Sequence, residues 1–427
     1  MTTSFSISRR GFLAASGGLV LSFAMPLELA AQTQLPGDLR NNPFLDSWIR
    51  INTDGTVTLL IGKVELGQGI VTAFAQIAAD ELDVPLDRLT VIAGDTHVCP
   101  NQGTTAGSQS MPAGWSALRM AAAEVRQILV GIAAERLGVD AGTLRTEGAA
   151  VIAQDGRTIG YGELVTGDEL HVEATASATP KTPDQYRIVG QPVVRLDIPG
   201  IMTGARVFVH DLRPEGMVHG AVVYPPSYDA KLVSLDTAPV EAMAGVLAVV
   251  RNGRFLGVVA ERPEEAAAAA TALAAAAQWD VPETLPAMEE FFTWLKAQPL
   301  NEKVWKEQKR EGGGDPAQVL KASYTRPYHM HGAYGTSAAI ATYDATADTL
   351  LIQTHSQSVW ATATAIQKLL GMADGSVRLQ HYQGAGCYGH NMADDAAADA
   401  ALLARAVPGR PVRLQYTRDQ EHRWEPY

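Results

Sequence analysis

Apolar and polar positions alternate along "DSWIRINTDGTVTLLI", with an Asp-Gly pair at the centre, and this pattern predicts a β-hairpin. The spacing then changes. "GIVTAFAQIAADELDV" repeats its apolar residues at helical intervals, and "LDRLTVIAGDT" reads as a strand leaving into a loop. The stretch "TTAGSQSMPAGWSALRMAAAEVRQILVGIAAERLG" is a Gly/Ser/Thr-rich loop feeding an alanine-rich helix from about Gly114 to Leu137. Residues 138–185 are mixed, with a small hairpin-like "AAVIAQDGRTIGYGELV", and end in the polar, proline-punctuated "ATPKTPDQ", a predicted boundary.

A second unit is expected over residues 186–282. "VHGAVVYPPSYDAKLVSLD" and "VLAVVRNGRFLGVVAE" supply strands, and "RPEEAAAAATALAAAAQW" supplies a helix. Pro263 suits the first turn of that helix, and Glu264 and Glu265 complement its dipole. Residues 283–315 form an acidic-then-basic connector. Residues 316–427 alternate strand ("ATADTLLIQTHS"), helix ("WATATAIQKLLGM"), strand ("VRLQHYQ"), loop and helix. After a last strand the chain reads as a charged loop and a bare "EPY". The expectation is a sheet short of strands, completed by another polypeptide or left incomplete in a truncated product.

Composition narrows the class. With 427 residues, 46% hydrophobic and 19% charged, the chain is globular and long enough for two or three domains. A net charge of −12, without a basic tract carrying interleaved aromatics, argues against nucleic acid as a partner. Cys99 and Cys387 are the only cysteines, so any iron–sulfur cluster must sit on another chain. Residues 1–31 hold Arg9-Arg10, a weakly apolar stretch and the small pair Ala30-Ala31. They read as a twin-arginine export signal, which places the protein in the periplasm, in solution or at the inner membrane. That route carries folded proteins, commonly loaded with a bulky cofactor.

Three polar loops open helices. The first, "QGAGCYGHN" at 383–391, spells G-x-G-x-x-G through Gly384, Gly386 and Gly389. It admits several readings: a dinucleotide fingerprint with Asp419 or Glu421 on the ribose, a metal site of Cys387 and His390, a Cys387 nucleophile, or a plain turn. A further reading is a loop whose backbone N–H groups face an anionic or oxo-bearing cofactor. The second loop, Gly67-Gln68-Gly69, lies between a strand and a helix and presents the Gln68 amide beside exposed backbone donors. The third ends in Thr104, Thr105, Gly107 and Ser108. Together they point to a phosphate-bearing, heterocyclic cofactor held by backbone and neutral side chains.

The ordered motifs "VELGQG", "QIAADELDVPLDRLTVIAGDT", "GTTAGSQS" and "QGAGCYGHN", with the run from "ADDAAADAALL" to "WEPY", resemble the molybdenum-binding large subunits of the xanthine oxidase family. The nearest branch is the isoquinoline 1-oxidoreductase and membrane-associated aldehyde dehydrogenase type. The resemblance implies an α+β fold in which molybdopterin-binding segments (40–185 and 316–427) flank a hammerhead domain of the aldehyde oxidase/xanthine dehydrogenase type, with the C-terminal part of the fold missing. It also implies molybdopterin, as its cytosine dinucleotide, and a small partner subunit carrying 2Fe-2S clusters that passes electrons on, for example to a cytochrome c. Gly67, Gln68 and Gly69 would contact the pterin or its phosphate, and Thr105, Ala106, Gly107 and Ser108 would line the same cofactor. Gln357 matches a glutamine that approaches the metal's oxygen ligands. Gly386, Cys387, Tyr388 and Gly389 form the loop whose backbone faces the metal centre, Cys387 standing where xanthine oxidases have Phe and Tyr388 replacing a glycine. Asn391 replaces an acidic residue of xanthine-specific members, which argues against xanthine as substrate. The implied chemistry is hydroxylation of an N-heteroaromatic compound or an aldehyde with water as oxygen source. The glutamate that takes the proton lies in a Gly-Glu-Pro-like motif near the family's C-terminus, which this sequence does not reach. Glu425 belongs to a different motif, so no catalytic residue is assigned and the chain alone is expected to be inactive. The alternatives are an inert or split remnant of that large chain and, on the G-x-G-x-x-G alone, an NAD-dependent dehydrogenase.

Overall fold

The computed structural model describes residues 34–165, 170–205, 208–283, 286–300, 318–327, 329–390 and 395–424. The export-signal reading of 1–31 lies outside them, as do Asn391 and Glu425. The chain divides into two compact units, Met1–Ala205 and Arg206–Tyr427.

In the first unit the predicted hairpin forms. β1 (Ile49–Ile51) pairs antiparallel with β2 (Val57–Ile61), and β2 pairs in parallel with β3 (Leu89–Ala93). Joining parallel neighbours requires a crossover, which α1 (Ile70–Leu82) supplies. α2 (Ser116–Leu137) is preceded by a π-helical turn, Ser110–Trp115, so the long helix starts slightly later than its pattern indicates. β4 (Arg145–Glu147), β5 (Ala150–Ile152) and β6 (Thr158–Gly160) make a small antiparallel sheet. Apolar faces of these elements enclose one core containing Trp48, Leu59, Phe74, Leu118, Leu129 and Tyr161. Its two polar-tipped rings are satisfied: Trp48 Nε1 donates to Asn42 O (2.8 Å) and Tyr161 Oη to Leu82 O (2.8 Å).

The second unit is organised by a mixed sheet whose seven described strands come from both of the segments expected to be separate. β7 (Val218–Val223), β9 (Val246–Asn252) and β10 (Phe255–Ala260) join β12 (Ala338–Asp344), β13 (Thr349–Thr354), β14 (Val377–His381) and β15 (Val412–Gln415) in the order β14-β13-β12-β15-β7-β10-β9. The β15–β7 and β13–β14 pairings are parallel, the others antiparallel. β8 (Lys231–Ser234) and β11 (Gln278–Asp280) pair apart from it. The strands of 186–282 are thus hydrogen-bonded to those of 316–427. Residues 186–205 fall with the first unit, because Asp80 of α1 accepts the N–H groups of Arg187, Ile188 and Val189.

Helices cover this sheet. α3 (Pro263–Ala276) starts as its sequence predicts, Glu265 Oε2 accepting the Arg262 N–H at 3.1 Å, and its buried Ala269 and Leu273 pack with Val258 and Leu256 of β10. α4 (Val359–Leu370) is the crossover between parallel β13 and β14. α5 (Asp395–Ala404) lies over strands narrowed by Gly220 and Gly257, where an added Cβ would stand 2.5 and 2.7 Å from the two Leu403 methyl carbons. The charged segment expected as a terminal loop is instead helical, α6 (Arg418–Trp424). Buried Glu421 explains why, since it accepts from Ser337 N at 3.0 Å and Arg418 Nη1 at 2.5 Å, fixing the turn against β12. The 283–315 connector likewise holds a short helix, Phe291–Ala297.

Leu403 occupies space that exists only because two strands lack side chains, so Leu403→Ala should leave a cavity. Urea unfolding is expected to show a loss of about 2–4 kcal/mol with the secondary structure retained.

Candidate functional site

In the first unit the site grows out of the end of β2. After Ile61 the chain bends through Gly62-Lys63 into Val64-Glu65, and the residues of this segment reach different loops. Gly62 N donates to Gln102 Oε1 (2.7 Å) and Val64 N to Thr105 Oγ1 (3.0 Å). Lys63, 3% exposed, donates its ammonium to the carbonyls of Gln102 and Thr104. Burial holds that ammonium below the usual lysine range, and Asp38 partly offsets the shift. These bonds tie the 102–105 stretch to the Gly62–Val64 segment that leads into the Gly-Gln-Gly turn. Within that loop Gly107 and Ser108 both have left-handed backbones (φ 60° and 58°). Among the described residues no acceptor is paired with the N–H groups of Ala106, Gly107 or Ser108.

The Gly67-Gln68-Gly69 turn departs from expectation. Its two glycine donors are not open: Gly67 N and Gly69 N donate to Glu65 Oε1 at 2.8 and 2.9 Å, and Val71 N reaches Oε2 at 3.3 Å. Both glycines sit at positive φ (103° and 83°), which lets the chain fold back over the carboxylate. The Gln68 amide is engaged too, its Oε1 accepting from Leu66 N (2.6 Å) and its Nε2 donating to Val64 O (3.0 Å). The physical reason is the helix itself. The first N–H groups of α1 lack intrahelical partners, and a carboxylate four residues upstream of Gly69 is the nearest strong acceptor. Lys63, Glu65 and Gln102 were not singled out from the sequence. The signal available was two charged residues alternating with glycine and valine where a buried strand runs into a polar turn.

In the second unit Gln357 and Cys387 meet. Gln357 follows β13 and is buried; Cys387 lies in the glycine loop, 6% exposed, its Sγ 3.4 Å from Gln357 Oε1 and positioned to donate. Burial raises the Cys387 thiol, the opposite of an activated nucleophile. Tyr388, two-thirds exposed, has a left-handed backbone (φ 55°), a conformation that favours glycine. Gly386 and Gly389 are also left-handed. Of the two ribose candidates of the dinucleotide reading, Glu421 is buried on Ser337 and Arg418, and Asp419 lies exposed in a surface pair with Arg423 (3.3 Å). His390 stacks on His331 (centroids 5.2 Å apart), and among the described residues no cluster of three His, Cys, Asp or Glu side chains is placed to hold a metal ion.

Beneath the loop lies His355, 1% exposed. Its Nε2 accepts the Ala338 N–H at 3.1 Å, which fixes the neutral Nδ1–H tautomer, and burial with neighbouring His210 and His381 pushes its pKa down to about 3. Nδ1 has no hydrogen-bond partner and faces Gly384, where an added Cβ would come within 2.3 Å of it. The first glycine of the G-x-G-x-x-G spelling therefore answers a packing demand from histidine.

A neutral amide held by a protonated thiol suits an oxo-bearing or pterin group, which needs hydrogen bonds without protein ligands to its metal, whereas the Gly386 N–H is already taken by Gly384 O at 3.0 Å. Comparison with known proteins agrees. The molybdopterin cofactor-binding domain family matches the chain twice, by its second model over residues 27–199 and by its first over 297–425. These segments define a cofactor-binding α+β protein. The chain carries molybdopterin-binding domains of the xanthine oxidase family and belongs with them. It is 39% identical to a nicotinate dehydrogenase subunit of Pseudomonas putida, over 89% of this chain and 32% of that protein. It is 27% identical to a membrane-bound aldehyde dehydrogenase [pyrroloquinoline-quinone] of Gluconacetobacter polyoxogenes, over 99% of this chain and 57% of that one. The beta chain of isoquinoline 1-oxidoreductase from Brevundimonas diminuta matches at 29%, over 56% of this chain and 34% of its own length. The chain thus spans between about a third and somewhat over half the length of these relatives.

Two measurements follow from the buried groups. Between pH 6.5 and about 3 the unfolded chain protonates the histidine that folded His355 keeps neutral, so stability is lost as pH falls through that window and is unaffected above it. The drop in urea midpoint from about pH 7.5 to about pH 5 should therefore be smaller in His355→Gln than in the parent protein. Burial raises Cys99 to about 11 and Cys387 in the same direction. At about pH 8, iodoacetamide should spare both thiols in the folded protein and label both in denaturant, as read by mass spectrometry.

Proposed function

We propose that this chain is the cofactor-binding portion of a molybdenum hydroxylase large subunit that oxidises an N-heteroaromatic compound, or in second place an aldehyde, with water as the oxygen source. The observation that carries the reading is the pairing of Gln357 with Cys387 inside one of two molybdopterin-binding segments. The similarity to the nicotinate dehydrogenase chain, higher than that to the aldehyde dehydrogenase, favours the heteroaromatic substrate. Electrons would pass to a small 2Fe-2S subunit and onward, for example to a cytochrome c. The cofactor would be the cytosine dinucleotide form, and the first 31 residues would direct the loaded protein to the periplasm.

When bound, molybdopterin supplies the two-electron redox chemistry. The residues of this chain bind and orient. In the second unit Gln357 offers its amide from a buried position, and the Cys387 thiol, kept protonated by burial, holds the amide's oxygen. The glycine backbone on either side leaves room for close approach. In the first unit the N–H groups of Ala106, Gly107 and Ser108 suit a phosphate, being consecutive donors around left-handed residues. No residue of this sequence is assigned as the base, so turnover in this reading needs further residues supplied by the same polypeptide or by a second chain.

Purification after co-expression with a 2Fe-2S partner should give stoichiometric molybdenum by mass spectrometry of the metal, together with releasable pterin. Gln357→Ala should lower molybdenum retention by about tenfold or more while leaving the circular dichroism unchanged. A chain that carries neither metal nor pterin, and that binds NAD saturably, would overturn the reading.

A further inference from the structure

A helix N-terminus preceded by a glycine turn is an anion-binding arrangement, because consecutive N–H groups converge with the positive end of the helix dipole. At α1 the Gly67-Gln68-Gly69 turn has that form, and the resemblance places cofactor contact there. The anion is already supplied by the chain. Glu65 is 2% exposed, and its carboxylate takes Gly67 N–H, Gly69 N–H and Val71 N–H at 2.8, 2.9 and 3.3 Å. Arg195 closes the turn from the other side: it donates to Gly67 O, and its Cδ would lie 3.2 Å from a Cβ on Gly69. Asp197 holds the Arg195 guanidinium at 2.6 and 2.8 Å. A second anion would have to displace a buried carboxylate and give up three hydrogen bonds.

We infer that Glu65 is the resident anion of the α1 N-terminus and the positioning residue of the Gly-Gln-Gly turn, so that the Gly67 and Gly69 N–H groups bind no phosphate. What the turn can offer a ligand is the Gln68 backbone N–H, which has no paired acceptor among the described residues, and the second N–H of Gln68 Nε2, since the first donates to Val64 O and Oε1 already accepts from Leu66. A neutral acceptor, such as a ring nitrogen or carbonyl of a heterocycle, fits these donors of one neutral residue, whereas the three N–H groups that would converge on a phosphate are taken by Glu65. This assignment of ligand chemistry rests on the cofactor-surface reading, whereas the role of Glu65 does not.

The test uses the full chain without cofactor, labelled with 15N-glycine, and follows the amide signals of Gly67, Gly69 and Gly107 during titration with pyrophosphate. In the parent protein the Gly67 and Gly69 signals should stay in place. In Glu65→Ala both should move to new positions before titration and then shift saturably as pyrophosphate enters. Glu65→Gln, which keeps the shape and one acceptor oxygen, guards against a folding defect: its two signals should move upfield as the charge-assisted bonds weaken, with the remaining spectrum unchanged. Saturable shifts of Gly67 and Gly69 in the parent protein would overturn the inference, as would unchanged positions of both signals in Glu65→Gln. Gly107 separates the two claims. Its failure to respond to pyrophosphate counts against the phosphate role of the 106–108 loop and leaves the Glu65 result standing.

Discussion

The candidate surface of the first unit depends on one constraint: charged groups buried at the end of β2 must be answered by backbone. Lys63 and Glu65 lie two residues apart in the bent segment that follows β2, and each draws a different loop to itself. The ammonium collects carbonyls from the 102–104 stretch, and the carboxylate collects N–H groups from the 67–71 turn. A buried charge without such partners costs several kcal/mol, on the order of an entire domain's stability, so these contacts are obligatory wherever the charges are buried. The segment after β2 thereby fixes two loops with respect to each other without any ligand. Rigidity of this kind is what a cofactor surface needs, because groups already held in place lose little freedom on binding.

The second unit reaches a similar end by neutral means. His355, Gln357 and Cys387 are all buried, and none carries a charge near neutral pH. The histidine sets the close approach of the glycine loop, and the thiol engages the amide. Neutral donors and acceptors avoid the desolvation cost that an ion pair would bring to the same place. They also leave the local charge to be set by whatever the site binds. Alignment of parallel strands β13 and β14 puts Gln357 and Cys387 at the same edge of the sheet, since both residues follow the C-terminal ends of those strands. Ligands of open sheets that contain parallel strands gather at that edge.

Much of this was legible beforehand because it is local. The hairpin at Asp54-Gly55, the crossover helix α1, the long helix α2 and the capped start of α3 each follow from a period, a turn pair or an N-terminal proline with glutamates. The loops carrying Gly67, Thr105, Gln357 and Cys387 were legible for a second reason, as ordered motifs that resemble a family. What failed were statements about neighbours. The helical turn at Arg418–Trp424 is held by Glu421 on Ser337, more than eighty positions earlier. The strands of 218–260 belong to the sheet of 338–415 because β15 pairs with β7.

The sequence by itself determined where elements begin, which loops are rich in glycine and hydroxyl groups, and that this is an α+β chain of the molybdopterin-binding kind. It did so because backbone propensity, side-chain period and motif order act over a few residues. Only the tertiary structure decided which donors remain available. Gly67 and Gly69 read as open amides in the sequence and are closed in the fold, because a carboxylate's partners are chosen by distance in space. The same holds for His355, whose tautomer and depressed pKa come from Ala338 and from burial. Hydrogen bonding of buried groups is a property of the packed molecule, and no pattern along the chain encodes it alone.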